Sequence, residues 1–215
     1  MNGKRRTQAD FKTTRWAGGS TCELYLYPET GSYERRDFLF RLSSASIEQD
    51  GAPFTPLPGV MRHLLLLEGA LQLQKAGEAP RTLLPFSPVT FSGGEPVRSF
   101  GKGRDFNLMV KGGAKGQLSC RFLSENGAAF FKTPAFGTGT YWKTVYAAAG
   151  AVVVQGGDAP PMRLEQGQLA VLSGHAPFAA EAACRTPEGA RLVCADVFVP
   201  DAASAALRRG SSRNL

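Results

Sequence analysis

The chain has 215 residues, 43% of them hydrophobic, and carries 25 Lys and Arg against 18 Asp and Glu for a net charge of +7, so it can bury one large core or two small ones. No apolar run approaches the ~20 residues of a membrane span, and the basic start MNGKRRTQAD has no apolar segment behind it as a secretory signal would. The surplus charge sits at the two ends, in Lys4, Arg5 and Arg6 and again in Arg208, Arg209 and Arg213. Basic ends on a near-neutral body are a weak footprint for nucleic acid. The expectation is solvated ends, no nucleic-acid or membrane partner, and a cytoplasmic location. Cys22, Cys120, Cys184 and Cys194 form no CxxC pair and read as reduced, structural thiols.

In chain order, most apolar segments are short, rich in strand formers and punctuated by 25 Gly and 14 Pro. CELYLY alternates and stops at Pro28; RRDFLFRLSSASI reads as a long strand. MRHLLLLEG has successive apolar residues, as in a strand covered on both faces, before Gly69 turns the chain and ALQLQ alternates back. SPVTFSGG and RDFNLMVKGG follow, then YWKTVYAAAGAVVVQGG, MRLEQGQLAVLSG and ARLVCADVFV. One helix is expected at 202–209, with Asp201 as N-cap, Gly210 as stop and a frayed SSRNL after it.

Two stretches repeat. LEGALQLQKAGEAP from Leu67 and AAGAVVVQGGDAP from Ala148 place Gly69 and Gly150 81 positions apart, and FSGGEP and LSGHAP keep the same offset. The hairpin pattern, Gly–strand–turn–strand followed by Pro-x-x-x-Phe-Ser-Gly, resembles a cupin barrel. Two copies predict an all-β bicupin: two tandem cupin-type barrels (RmlC-like jelly rolls) at 1–125 and 126–215, joined by SENGAAFFKTPAFGTGTY, with one short C-terminal helix.

Cupin metal sites use several histidines, and this chain has only His63 and His175, at non-equivalent points of the repeats. No metal and no cofactor is therefore expected. There is no Gly-x-Ser-x-Gly elbow, and GKGRDF precedes a strand rather than a phosphate-binding helix, so no catalytic set is assigned.

Charges inside apolar strands are the informative positions. Alternation puts Leu39, Arg41, Ser43 and Ala45 on one face, Arg62 with Leu64, Leu66 and Glu68 on another, and Asp105, Asn107 and Met109 on a third. Two arginines facing one cavity suit a carboxylate, which guanidinium grips through two parallel hydrogen bonds. Alternatively, each arginine pairs with Asp105 or Glu68 and binds nothing. Trp16, ahead of Gly18-Gly19, reads as a buried plug or as a stacking surface, and the two glycines as a tight turn. The candidate ligand-binding residues are Arg41, Arg62, His63, Asp105, Asn107, Trp16 and Ser43. The candidate partners are a small-molecule carboxylate and a second copy of the chain. The alternatives are a metal-free enzyme using Asp105, Glu68, Glu23 or His63, and an interaction module. AAAGAVVVQ and QLAVLSG carry no inward charge, so the second barrel is expected to be structural or a dimer surface.

RWAGGST, RDFLFRLSSASIEQDGAPFTPLPGVMRHLLLLEG, PVTFSGGEPV and RDFNLMVKGG together resemble the HutD/Ves family over residues 11–113. The resemblance implies a bacterial, cytoplasmic bicupin associated with histidine utilisation. It also implies that the protein has no established enzymatic activity, binds an intermediate of formylglutamate type at Arg41 and Arg62, and limits pathway flux. The family pattern Pro-Gly-x-Asp-Arg reads Pro58-Gly59-Val60-Met61-Arg62 here, with Met61 in place of the acid.

Overall fold

The computed structural model describes residues 1–211, with side chains described through Leu207. The chain opens with β1 (Asn2–Arg6) and a 3-10 turn at Gln8–Asp10. One compact unit spans residues 11–112. It contains β2 (Lys12–Trp16), β3 (Gly19–Tyr27), β4 (Phe40–Ile47), β5 (Ala52–Pro53), β6 (Val60–Lys75), β7 (Arg81–Thr82), β8 (Val89–Ser92) and β9 (Val97–Lys111). The other unit joins residues 1–10 to the chain from Gly113 onward. After β1 it holds β10 (Lys115–Leu123), β11 (Ala128–Lys132), β12 (Gly139–Ala149), β13 (Val152–Gly156), β14 (Met162–Leu164), β15 (Leu169–Gly174), β16 (Ala179–Cys184), β17 (Ala190–Pro200) and α1 (Asp201–Ser211).

These boundaries differ from the expected 1–125 and 126–215. β10 pairs along its whole length with β17, and β1 pairs with β15, so backbone hydrogen bonding draws both into the second unit. The basic N-terminus is thus a laddered edge strand. Asn2, Lys4 and Arg5 stay exposed while the backbone pairs, and charged edge strands resist further pairing. The expected connection also carries β11, paired with β16. The helix begins at Asp201 and runs one residue past Gly210; residues 212–215, most of the expected frayed end, lie outside the described residues, as do the side chains of Arg208 and Arg209.

In the unit 11–112 the strands form one sheet in the order β2-β3-β4-β9-β6-β7, with β5 added on β9 and β8 on β6. β6 and β9 pair from Val60–Lys111 to Lys75–Val97. No turn occurs at Gly69, which sits inside β6 opposite Gly103 with φ +85°. A bulge between Leu66 and Glu68 and three glycines (Gly69, Gly101, Gly103) let the ribbon bend without breaking. Leu64 and Leu66 before the bend then pack with Leu71 and Leu73 after it, together with Ile47, Leu83, Phe91 and Val97. The four successive leucines 64–67 are all buried, as a strand covered on both faces requires.

The other unit has a five-stranded sheet, β1-β15-β12-β17-β10, and a four-stranded sheet, β11-β16-β13-β14. Both contribute to one core, including Val145, Ala170, Leu172 and Cys194 from the first and Phe131, Val152, Val154 and Ala182 from the second. The repeat survives in the register. Met61 pairs with Ser92 and Arg62 with Phe91; 81 residues on, Trp142 pairs with Ser173 and Lys143 with Leu172. Gly150 lies at the corner equivalent to Gly69, but there the chain leaves β12 for β13 in the second sheet.

This unit does contain an inward charge. Lys143, at the position equivalent to Arg62, is 3% exposed and forms an ion pair with Asp196 at 2.5 Å, beside the Phe131 ring. Neither residue falls in the two stretches that read as charge-free.

Gly69→Ala places a Cβ 2.4 Å from the Lys102 carbonyl oxygen at a positive φ, and we expect a loss of ~2 kcal/mol or more in urea unfolding. Gly77→Ala, at φ +79° with open space around the added Cβ, is the control and should lose about 1 kcal/mol. Asp196→Ala, which strands a buried ammonium, should cost about 3–5 kcal/mol, and the double variant Lys143→Met with Asp196→Leu should recover most of it in the same measurement.

Candidate functional site

The concave face of the unit 11–112 encloses a cavity of about 180 Å³. The strands beneath it form a grid set by backbone register, of which Leu64 and Leu66 belong to the apolar core rather than to the lining. Across β4, β9 and β6 one row reads Arg41–Met109–Arg62, the next Ser43–Asn107–Leu64, and the third Ala45–Asp105–Leu66. Residues directly opposite one another share a face, and successive rows two residues apart lie ~6.6 Å along the strand. Trp16 and Thr14 on β2, Thr21 on β3, Ile47 on β4, Ser99 on β9, Tyr33, and residues Ala52, Pro53, Phe54 and Thr55 complete the lining.

Arg41 is 5% exposed. Its Nε donates to Glu23 Oε2 at 2.6 Å, its Nη1 donates to Ser43 Oγ at 3.2 Å, and its guanidinium lies 4.3 Å from the Tyr33 ring centroid. Arg41 is therefore paired inside the protein, with Glu23 rather than Asp105 or Glu68. Glu68 lies beyond the bulge, exposed, and pairs with Arg104 on β9. It is not a cavity residue.

Arg62 is 3% exposed and forms no ion pair among the described residues. Its Nη2 donates to the Thr55 carbonyl at 2.5 Å, its guanidinium stands 5.4 Å from the Phe54 ring centroid, and its Nε has no hydrogen-bond partner. Burial lowers its pKa from the ordinary guanidinium value, and the like charges of Arg41 and Arg36 act the same way against the opposing pull of Tyr33 and Asp105. A guanidinium stays cationic even so. The site thus holds a desolvated positive charge with an unused N–H.

Asp105 is 1% exposed. Its Oδ1 accepts the Ala45 backbone N–H at 3.1 Å, and its Oδ2 takes no bond from the described residues. Burial pushes its pKa up to about 7, against the Ala45 hydrogen bond and the attraction of Arg62 and Arg41. The grid explains the burial: Asp105 stands in a row with Ala45 and Leu66, and Leu66 belongs to the apolar core. Asn107, in the row between Asp105 and the arginines, is 5% exposed with its side-chain oxygen unbonded.

Six of the seven candidate residues line the cavity: Arg41, Arg62, Asp105, Asn107, Ser43 and Trp16. His63 does not. It follows Arg62 on the strand and so faces away, where its Nδ1 hydrogen-bonds Thr90 Oγ1 at 2.9 Å and burial lowers its pKa. Trp16 is no buried plug: it is 38% exposed, packed over Gly18, with its Nε1 donating to Thr21 Oγ1. Gly18 closes the β2–β3 hairpin as a turn. Met61 is 41% exposed on the face opposite Arg62 and does not line the cavity, so the side chain at this position points away from it. Tyr33, Phe54 and Thr55 were not legible in the sequence, because they come from irregular segments with no alternation to read.

Cupin folds invite the question of a metal. The cavity offers one buried carboxylate and no imidazole, and no group of three His, Cys, Asp or Glu suited to a metal occurs among the described residues. These residues do not fit a metal centre. No helix among the described residues is long and apolar enough to cross a membrane.

A chain that is mostly β, with a cavity on the concave face of a bent sheet, has a cupin- and pirin-like fold. Bacterial pirin YhhW from Escherichia coli, described in complex with nickel(II), matches it with a TM-score of 0.65 at 9% identity, over 91% of this chain and 98% of that one. More specifically, the chain belongs to the HutD family, whose model matches residues 8–191. HutD from Pseudomonas fluorescens SBW25, in a formate condition, is 23% identical with a TM-score of 0.67, over 90% of this chain and 98% of that one. The conserved protein of unknown function PA5104 from Pseudomonas aeruginosa PAO1 is 20% identical with a TM-score of 0.77, over 93% and 100% of the two chains.

Asp105 yields a stability prediction. Its folded pKa lies above its unfolded one, so the stability gained from packing the neutral carboxyl is fully present below about pH 4 and is lost as pH rises through about 7. Asp105→Asn should match the wild type only near pH 4, and its advantage should grow by on the order of 3 kcal/mol between pH 5 and pH 8, read as thermal unfolding midpoints at the two pH values.

Proposed function

We propose that the protein is a non-catalytic binding protein for a small carboxylate metabolite, held in the cavity of the unit 11–112 with Arg62 as its anchor. The observation that carries this reading is the buried Arg62 guanidinium with an unbonded Nε and no carboxylate partner among the described residues. An unpaired buried charge is costly, and an entering carboxylate would remove that cost. Arg41, already neutralised by Glu23, serves as a preset wall with its Nη2 still available. The cavity has room for roughly six water volumes, which suits a metabolite-sized acid rather than a polymer. Formate, named for the P. fluorescens HutD structure, is the smallest such acid. Membership of the HutD family supports a formylglutamate-like ligand and a regulatory role in cytoplasmic histidine catabolism, in a bicupin built from two copies of one domain.

A second reading, a metal-free enzyme acting on a small acid, is favoured by one observation: Asp105, in the same cavity, titrates near neutrality.

A thermal-shift panel of formate, formylglutamate, glutamate, urocanate and other small dicarboxylates tests the first reading. An acid at a hundred times its Kd stabilises the native state by ~2.7 kcal/mol, a shift of several degrees. We expect that shift in the wild type and its loss in Arg62→Met, which removes an unpaired buried charge and should keep or raise the unliganded midpoint. Absence of a shift from every acid would overturn the reading. Chemical conversion of the stabilising acid, followed by NMR, would replace it with the enzyme.

A further inference from the structure

Resting on the carboxylate reading above, we propose that Asp105 is a second recognition residue of this cavity, and that the protein binds a carboxylate together with one proton shared between the ligand and Asp105. The geometry requires a choice. The cavity is only about 180 Å³, and Asp105 lines it at 1% exposure alongside Arg62. A ligand carboxylate drawn to Arg62 therefore enters a space that already holds a carboxyl group. Two carboxylates in one desolvated space do not both stay ionised, because their repulsion is poorly screened there.

The surrounding charges do not remove the conflict. From β4, Arg41 faces Asp105 but is bound to Glu23 of β3. From β6, Arg62 forms no ion pair with Asp105. Tyr33 and Arg36, from the segment between β3 and β4, act on Arg62 rather than on Asp105. The residues of β2 and of the 52–55 segment that line the cavity, Thr14, Trp16, Ala52, Pro53, Phe54 and Thr55, carry no charge. Within β9, Asn107 and Met109 are neutral. One formal positive charge, Arg62, is thus left to balance two carboxyl groups, and it balances one. The other must be protonated.

The unbonded Asp105 Oδ2 is where that proton resides. Protonated, it becomes a donor to the ligand carboxylate, while Oδ1 keeps the Ala45 N–H. Burial already pushes the Asp105 pKa to about 7 without ligand, and a second carboxylate raises it further. Below that pH the proton is in place and binding needs no uptake. Above it, each binding event must draw one proton from solvent, so affinity falls about tenfold per pH unit.

Isothermal titration calorimetry of the full chain with formate and with N-formylglutamate, at pH 6 to 9 in Tris and in HEPES, tests this. In the wild type we expect uptake of one proton per ligand at pH 8.5, read from the difference between the two buffers. We also expect a Kd about tenfold weaker at pH 8.5 than at pH 7.5. In Asp105→Asn, whose amide N–H stands in for the carboxyl proton without titrating, the binding that is measured should show neither effect. Wild-type binding with no proton uptake and a flat Kd across this range would overturn the proposal and leave the carboxylate reading intact. Absence of binding by either acid at every pH would remove both.

Discussion

Along the long antiparallel ladder between β6 and β9, one strand brings Arg62 to the cavity and the other brings Met109, Asn107 and Asp105, in a fixed order set by hydrogen bonding. The same ladder bends at Gly69 and Gly103, so that its two halves close on one apolar core. A slip of one residue would turn Arg62 outward and bring His63 and Met61 inward. Chemistry and core packing thus depend on a single register. The bulge after Leu66 divides their territories: the inward alternation of Arg62, Leu64 and Leu66 ends there, and Glu68 emerges into solvent.

Two buried basic side chains 81 residues apart, at corresponding register positions of the two units, are answered differently. Lys143 faces Asp196 on β17, and the charge is cancelled within the protein. Arg62 pairs across the ladder with Met109, which cancels nothing. One unit is electrostatically closed at this point and the other open.

Strand alternation made most of this legible. Arg41, Ser43, Asp105 and Asn107 fall on the inward faces that period-two reading assigns them, and Arg62 shares its face with Leu64 and Leu66. The same rule argues against His63 beside Arg62, since neighbours in a strand face opposite ways. Pairing partners were less legible. Glu23 reaches Arg41 from β3, where a register shift against β4 between Glu23 and Tyr25 breaks the alternation. Gly69 reads as a turn because a glycine between two alternating runs ordinarily is one; only the opposing glycines of β9 show that two strands bend there together. β1 was hidden for another reason: its side chains are polar and solvated, and what places it in the fold is backbone pairing that no hydrophobic pattern records.

That first strand bears on the order of assembly. The unit 11–112 is contiguous, and every strand in it finds its partners within about a hundred residues of chain. β1 pairs with β15, from Arg6 with Leu169 to Asn2 with Ser173, so its partner is translated more than 160 residues later. Contacts of such sequence separation form slowly. On a ribosome the cavity-bearing unit can close while β1 still waits, an unpaired strand edge kept soluble by Lys4, Arg5 and Arg6. The cluster of charge at the start of the chain then acts as a guard for a nascent strand until its partner is made.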